Sequence, residues 1–177
     1  NVTNDSTYDI RKLIDTILDF DENKKVRLCI NTRKEAWDKY IYSKVDSNEK
    51  IKVEHFTYDE MVYGNQKNSY SVSVMYFSLT KELLEISMPI KLFQYIGMGL
   101  PIIGFEEKAG YSKFIKQHDI GWVINDFSEF RKLVCYLIDN PEEIIQKHEN
   151  ILKIKEKNSW EARVREIEKL LGENGCK

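Results

Sequence analysis

Short apolar runs alternate with amphipathic segments along most of the chain, and this alternation restricts the possible folds more than any other feature of the sequence. Runs of β-branched and aromatic residues, which predict buried strands, lie at 26–30, 51–56, 70–76, 101–105 and 121–124. Segments with apolar residues at helical spacing separate them, at 8–20, 33–45, 59–64, 89–98 and 110–118. Strands that alternate with helices join through right-handed crossovers. The sequence therefore predicts an α/β fold with a mainly parallel sheet and helices on both faces.

The two ends of the pattern add further predictions. The order begins with a helix, so we expect a first strand to lie upstream, with at most its end at Asn1 and Val2. The tail has helical spacing from 127 to 171, with a break at 140–141 and another near Ser159. We predict that Ser159 caps the last helix with its hydroxyl group, and that Trp160, which follows it, is a packing residue.

Composition excludes several classes of function. The 177 residues are enough for one domain and too few for two. A formal net charge of −2 does not indicate a basic surface for nucleic acid, and no run approaches the roughly 18 apolar residues of a membrane span. The cysteines lack metal-ligand spacing, and Cys29 and Cys135 lie in apolar contexts. We therefore predict buried, reduced thiols in a cytoplasmic setting.

The segment MPIKLFQYIGMGLPIIG at 88–104 carries the clearest functional pattern. Pro89 suits the first turn of a helix, and Gly99 suits a left-handed helix end just before the next strand. The first turn would offer the backbone N–H groups of residues 87–91 to a phosphate at the carboxyl edge of the sheet, where such folds bind ligands. The predicted core side of this helix consists of Ile90, Phe93 and Ile96.

Two polar residues of this helix lie on one face. Lys91 would add a positive charge near the phosphate, and Gln94, one turn further on, would exchange hydrogen bonds with sugar hydroxyls. An ordinary amphipathic helix with one solvated lysine and one glutamine is the alternative interpretation. Glu106 and Glu107 also follow a predicted strand, and we interpret them as a surface loop.

The same segment resembles the stretch P-x-K-x-x-E-Y-x-x-x-G-x-P-V-I of GT-B glycosyltransferases, especially those of family 4 and their bacterial polysaccharide relatives. Other pieces resemble that family in the same order: FTYDEM at 56–61 its donor-base loop, SVSVMY at 71–76 the strand ahead of the donor loop, HDIGWVI at 118–124 its G-x-x-V strand, and NSWEAR at 158–163 the start of its final helix. The resemblance covers roughly residues 8–171.

The resemblance implies that residues 1–177 form a single Rossmann-like domain, the C-terminal donor-binding half of a GT-B enzyme. Such enzymes transfer a sugar from a nucleoside diphosphate-sugar to a saccharide or lipid-linked acceptor, without a metal, in the cytoplasm or at the inner face of the membrane. The acceptor site would lie in a separate N-terminal domain, and no catalytic residue is assigned. The implied donor-site residues are Ser87, Met88, Ile90, Lys91 and Gln94. The implied base-pocket residues are Phe56, Thr57 and Tyr58.

The chain differs from the family pattern at three places. Gln94 stands where glutamate is usual, and Ile86 stands where a second glutamate is usual, with Glu85 beside it. The basic pair usual near the first strand is not found in residues 1–8. Two alternatives stay open: half of a sugar-nucleotide epimerase of the same fold, and a non-catalytic α/β binding module. The nucleotide, the sugar, the acceptor and the stereochemistry of transfer are also open.

Overall fold

The computed structural model describes residues 10–32, 34, 45, 48–64, 70–77 and 80–173. Helices and strands alternate through the described part of the chain. In chain order they are α1 (Arg11–Leu18), β1 (Leu28–Asn31), β2 (Ile51–Glu54), α2 (Tyr58–Tyr63), β3 (Ser73–Met75), α3 (Lys81–Ile86), α4 (Ile90–Met98), β4 (Ile102–Phe105), α5 (Gly110–His118), β5 (Gly121–Ile124), α6 (Phe127–Asp139), α7 (Pro141–Lys155), a 3₁₀ turn (Glu156–Asn158) and α8 (Trp160–Glu173).

Every strand pair in the described residues is parallel, which confirms the predicted α/β, Rossmann-like fold. The strands form two small sheets, β1–β2 and β3–β4–β5. In the first sheet Leu28 lies opposite Ile51. In the second, Ile102 lies between Ser73 and Gly121. The sequence predicted a single sheet, so the division in two is a finding of the structure.

Two apolar layers cover the strands. The first layer contains α1 and α6, and it packs against residues of both sheets, including Ile30 of β1 and Ile103 of β4. The second layer contains α4, α5 and α7, and it packs on Met75 and Ile102 from the opposite face of the three-stranded sheet. Because both sheets share the first layer, they belong to one α/β/α arrangement.

Helix α4 confirms most of the prediction for residues 88–104. Pro89 caps the helix, and Gly99 ends it in the left-handed conformation, with φ 76°. The core side differs from the prediction, because Leu92, Ile96 and Met98 are buried while Ile90 is 67% exposed. Ile90 lies in the first turn, at the carboxyl edge of the sheet, and belongs to neither of the two apolar layers of the described residues.

Two elements differ from the sequence prediction. The sequence patterns predict no helix or strand between the third strand and residue 89, but α3 lies there. Helix α3 buries only Leu84, while Leu83 and Ile86 are exposed, so its sequence has no helical core stripe to detect. Strand β3 is also shorter than the predicted 70–76.

The C-terminal helices follow the prediction closely. The breaks fall at residues 140–141 and around the 3₁₀ turn, and the hydroxyl of Ser159 accepts a hydrogen bond from the backbone N–H of Ala162 at 3.1 Å. Cys29 and Cys135 are half-buried rather than fully buried. The predicted helix at 33–45 and the N-terminal residues 1–9 lie outside the described residues, apart from single positions.

We expect Gly121→Ala to lower the free energy of unfolding by about 2–4 kcal/mol. A Cβ atom at residue 121 would lie 1.9 Å from the carbonyl oxygen of Ile102, which belongs to the buried strand β4 and cannot move aside. Chemical denaturation measures the change. Gly172→Ala is the matched control, because a Cβ there meets nothing within 4 Å and alanine favours the helix. A loss of unfolding free energy in Gly121→Ala no larger than that in Gly172→Ala would contradict the close packing of Gly121 against β4.

Candidate functional site

The carboxyl ends of the parallel strands and the first turn of α4 lie at one edge of the molecule. Strand β3 ends at Met75, and Phe77, two residues later, approaches Lys91 in the first turn of α4, with Nζ 6.0 Å from the ring centroid. Ligands of parallel α/β sheets bind at this edge, beside helix N-termini. The segment singled out in the sequence is therefore positioned where a ligand site is expected.

A cleft of about 660 Å³ opens between β1 and β3, and we call it the central cleft. Its walls come from both sheets and from helices on both faces. The lining residues from the strands include Leu28, Cys29, Asn31, Ser73 and Val74, and those from the helices include Leu13, Ile17, Lys91, Gln94, Tyr95, Met98, Phe130 and Val134. Most of these side chains are apolar, so the few polar ones would decide where a ligand is held.

Lys91 and Gln94 both line the central cleft, which confirms that they share one face of α4. Both side chains are half-buried. Burial lowers the pKa of Lys91, because the charged ammonium loses hydration there. A lysine held in this way gains most from a ligand that carries negative charge.

The residues before α4 contribute less than the sequence predicted. The backbone N–H of Ser87 donates to the carbonyl oxygen of Leu84 at 3.2 Å, and its hydroxyl donates to the same oxygen at 3.1 Å. This N–H is therefore already used, and Pro89 has none, so two of the five groups expected to meet a phosphate are not available as donors. Met88 and Ile90 are exposed at the edge and do not line the central cleft.

The predicted base-pocket loop is well ordered by its own hydrogen bonds. The hydroxyl of Thr57 accepts from the N–H of Glu60 at 3.3 Å, and the Glu60 carboxylate accepts from the N–H of Thr57 at 2.7 Å. This capping box uses the polar groups of Thr57 for the start of α2. Phe56 is half-buried beside it, and the side chain of Tyr58 lies outside the described residues.

Asn31, which sequence reasoning missed, holds this loop to the end of β1. Its side-chain amide donates to the carbonyl oxygen of Phe56 at 3.0 Å, and its amide oxygen accepts from the N–H of Phe56 at 2.9 Å. A polar residue directly after a buried strand was the available signal. Asn31 also lines the central cleft, so it connects the loop with the cleft.

Glu54 is a second group that the sequence analysis did not assign. It is a buried carboxylate lining the central cleft, and it accepts hydrogen bonds from the Tyr70 hydroxyl and from Lys52, whose Nζ lies 2.6 Å away. Burial and the bond to Glu54 raise the pKa of Tyr70. Because these partners satisfy the carboxylate, it is a structural group of the cleft wall and not an available base.

A smaller cleft of about 250 Å³ lies at the ends of β4 and β5, and Glu106 and Glu107 belong to its wall. Glu106 has a left-handed backbone with φ 69°, and its carbonyl oxygen accepts from the Ser112 hydroxyl at 2.7 Å. Glu107 is exposed and forms an ion pair of 2.5 Å with Lys116, which lowers its carboxyl pKa. The interpretation of Glu107 as a surface residue is confirmed, and Glu106 is half-buried.

Trp160, predicted to be a packing residue, is 71% exposed, so it is not part of the buried core. It contacts Arg163, whose guanidinium lies 5.4 Å from its ring and 4.6 Å from the ring of Phe93. Ile86, which stands where the family pattern has a glutamate, is 80% exposed at the end of α3. Glu85 is exposed beside it.

Comparison with protein-family models, with curated proteins and with solved structures finds no match for this chain. Among the described residues, no group of three or more histidine, cysteine or acidic side chains could hold a metal ion. In the same residues no helix is both long and apolar enough to cross a bilayer. The class that the structure defines is the Rossmann-like α/β fold, with a cleft between its two sheets.

We expect Asn31→Ala to lower the free energy of unfolding by about 1–3 kcal/mol, since two backbone groups of Phe56 would lose their partner. Chemical denaturation measures this loss, and Asn23→Ala, at an exposed turn, is the control. Equal stability of the two variants would mean that Asn31 does not hold the loop.

We expect Lys91→Met to raise the free energy of unfolding at neutral pH. The folded-state pKa of Lys91 lies below its unfolded value, so protonated Lys91 destabilises the fold at pH 7. The parent should become more stable as pH rises from that lowered pKa towards about 10.4, the value in an unfolded chain. Denaturation between neutral and alkaline pH should show this rise in the parent and in Lys113→Met, an exposed control, but not in Lys91→Met. A Lys91→Met variant less stable than the parent at pH 7 would contradict this account.

Proposed function

We propose that this chain binds a nucleoside diphosphate-sugar and is the donor-binding domain of a glycosyltransferase. The observation that carries the proposal is the position of Lys91 and Gln94 on one face of α4, beside the carboxyl end of β3 and within the central cleft. The resemblance of residues 88–104 to the family segment supports the same assignment. The proposal includes transfer of the sugar to a saccharide or lipid-linked acceptor.

Each polar group has a distinct role in this proposal. The Lys91 ammonium pairs with the diphosphate, and that ion pair compensates the hydration that the side chain has lost. Gln94 both donates and accepts hydrogen bonds, as a pair of ribose hydroxyls requires. Phe56, at the end of the loop held by Asn31, offers an apolar surface to the base. A neutral Gln94 binds hydroxyls less strongly than the usual carboxylate, because the charge-assisted bond is absent.

The leaving diphosphate needs positive charge at the moment when the glycosidic bond breaks. The start of α4 and the Lys91 ammonium supply such charge without a metal ion. The acceptor and any general base come from a second domain in this proposal, so we expect no sugar transfer by the 177-residue chain by itself.

The test is calorimetric titration of the chain with UDP and with GDP. For whichever nucleotide the parent binds, Lys91→Ala should weaken binding by about 1–3 kcal/mol, the range for hydrogen bonds to charged groups. Gln94→Ala should weaken nucleotide binding as well, but it should hardly change the binding of pyrophosphate, which has no ribose. Binding by the parent should also weaken as pH rises through the lowered pKa of Lys91.

Lys132→Ala is the matched control, because Lys132 is an exposed lysine on α6, away from the central cleft. Thermal melts of each variant separate a change in affinity from a change in folding. If Lys91→Ala and Gln94→Ala bind the parent's nucleotide as tightly as Lys132→Ala does, the site does not lie on α4 and the proposal fails.

A further inference from the structure

The two sheets present backbone edges to the same space. In the described part of the chain, β1 pairs only with β2 and β3 only with β4. Leu28 and Thr32 donate their N–H groups towards β2, to Lys50 and Glu54, so the intervening Cys29 points its N–H the other way. The N–H of Ser73 donates to the carbonyl oxygen of Pro101, on the side of β4. The backbone groups of the next residue, Val74, therefore point away from β4.

The central cleft is the space that these two edges share. Cys29 and Val74 both line it, one from each sheet. Leu13 and Phe130 close it on one face, and Met98 closes it on the other. Unpaired backbone groups between apolar walls are costly, because buried N–H and C=O groups are almost always hydrogen-bonded. One parallel β-strand placed between the two edges can form hydrogen bonds with the backbone groups of both.

We propose that a parallel β-strand, joined to the N-terminal side of α1, fills the central cleft between β1 and β3. The result is one six-stranded sheet in the order β2–β1–new strand–β3–β4–β5. Helix α1 leads into β1 and packs on α6, as the crossover helix between β1 and an adjacent parallel strand does. Ile10, just before α1, already lines the cleft, so α1 begins beside the space that the strand would occupy.

The walls also define the chemistry of the strand. Both of its faces meet helices, so it needs a nearly continuous apolar run, as buried parallel strands have. Residues 1–9 contain one aliphatic side chain, Val2, and do not provide such a run. The occupant in this proposal is a nearly continuous apolar segment joined before Asn1. The carboxyl end of this strand would lie near Lys91 and Gln94. The proposed nucleotide site does not depend on the strand.

Cys29 provides a direct readout, because it lies on the edge of β1 and is half-buried in the cleft. With Cys135→Ala and Cys176→Ser in the chain, Cys29 is the single thiol. The probe is an N-terminal extension, Arg-Val-Ile-Val-Ile-Gly, fused before Asn1. The matched control is Arg-Val-Pro-Val-Pro-Gly, whose prolines cannot pair in a central strand.

We expect the apolar extension to slow the reaction of Cys29 with N-ethylmaleimide by about tenfold or more, and to raise the melting temperature, relative to the proline control. Equal reactivity in the two fusions would overturn the proposal. Protection that increases with protein concentration would also overturn it, since a neighbouring copy would then supply the strand.

If the fused chain does not fold, the same six residues are added as a free peptide to the unextended chain. Saturable protection of Cys29 by the apolar peptide, but not by the proline peptide, supports the proposal, and equal labelling with both overturns it. UDP and GDP titrations of the same proteins are scored separately. Nucleotide binding without protection of Cys29 would overturn only this inference. Protection of Cys29 without nucleotide binding would overturn only the proposed function.

Discussion

The apolar layer formed by α1 and α6 holds the molecule together, because the two sheets exchange no backbone hydrogen bond in the described part of the chain. Leu13 and Ile17 of α1 pack in one cluster with Phe130 of α6, and the same cluster contains Ile30 from the first sheet and Ile103 from the second. Burial of this kind contributes about 25 cal/mol per Å² of apolar surface. The positions of all candidate site residues on β1 and β3 depend on that layer.

Much of this fold can be predicted from the sequence, because apolar periodicity is a local signal. The helix at 110–118 and the strand at 121–124 have the predicted bounds. Helix α3 could not be predicted in this way, since it buries only Leu84. The division into two sheets could not be predicted either, because strand neighbours depend on contacts distant in sequence.

The candidate site shows the same division between local and tertiary information. That Lys91 and Gln94 share a face follows from helical spacing alone. The hydrogen bond from Ser87 to Leu84 depends on how α3 meets α4. The exposure of Ile90 depends on where the sheet ends. The role of Asn31 required knowledge that β1 ends beside Phe56, 25 residues away in sequence. Sequence patterns identify candidate side chains, whereas neighbouring elements decide which of them reach a cleft.

The contacts between α1 and α6 also have a consequence for the order of folding. Strands β3, β4 and β5, with the helices between them, form a continuous unit that can fold from contacts close in sequence. The first sheet joins that unit through contacts such as the bond from Arg131 to the Asp19 carbonyl oxygen, 112 residues apart in sequence, and the ion pair of Lys24 with Asp139. Closing so long a loop costs chain entropy, and the apolar burial in the completed layer of α1 and α6 offsets that cost. We therefore expect the first sheet to open as a separate cooperative unit of the native state.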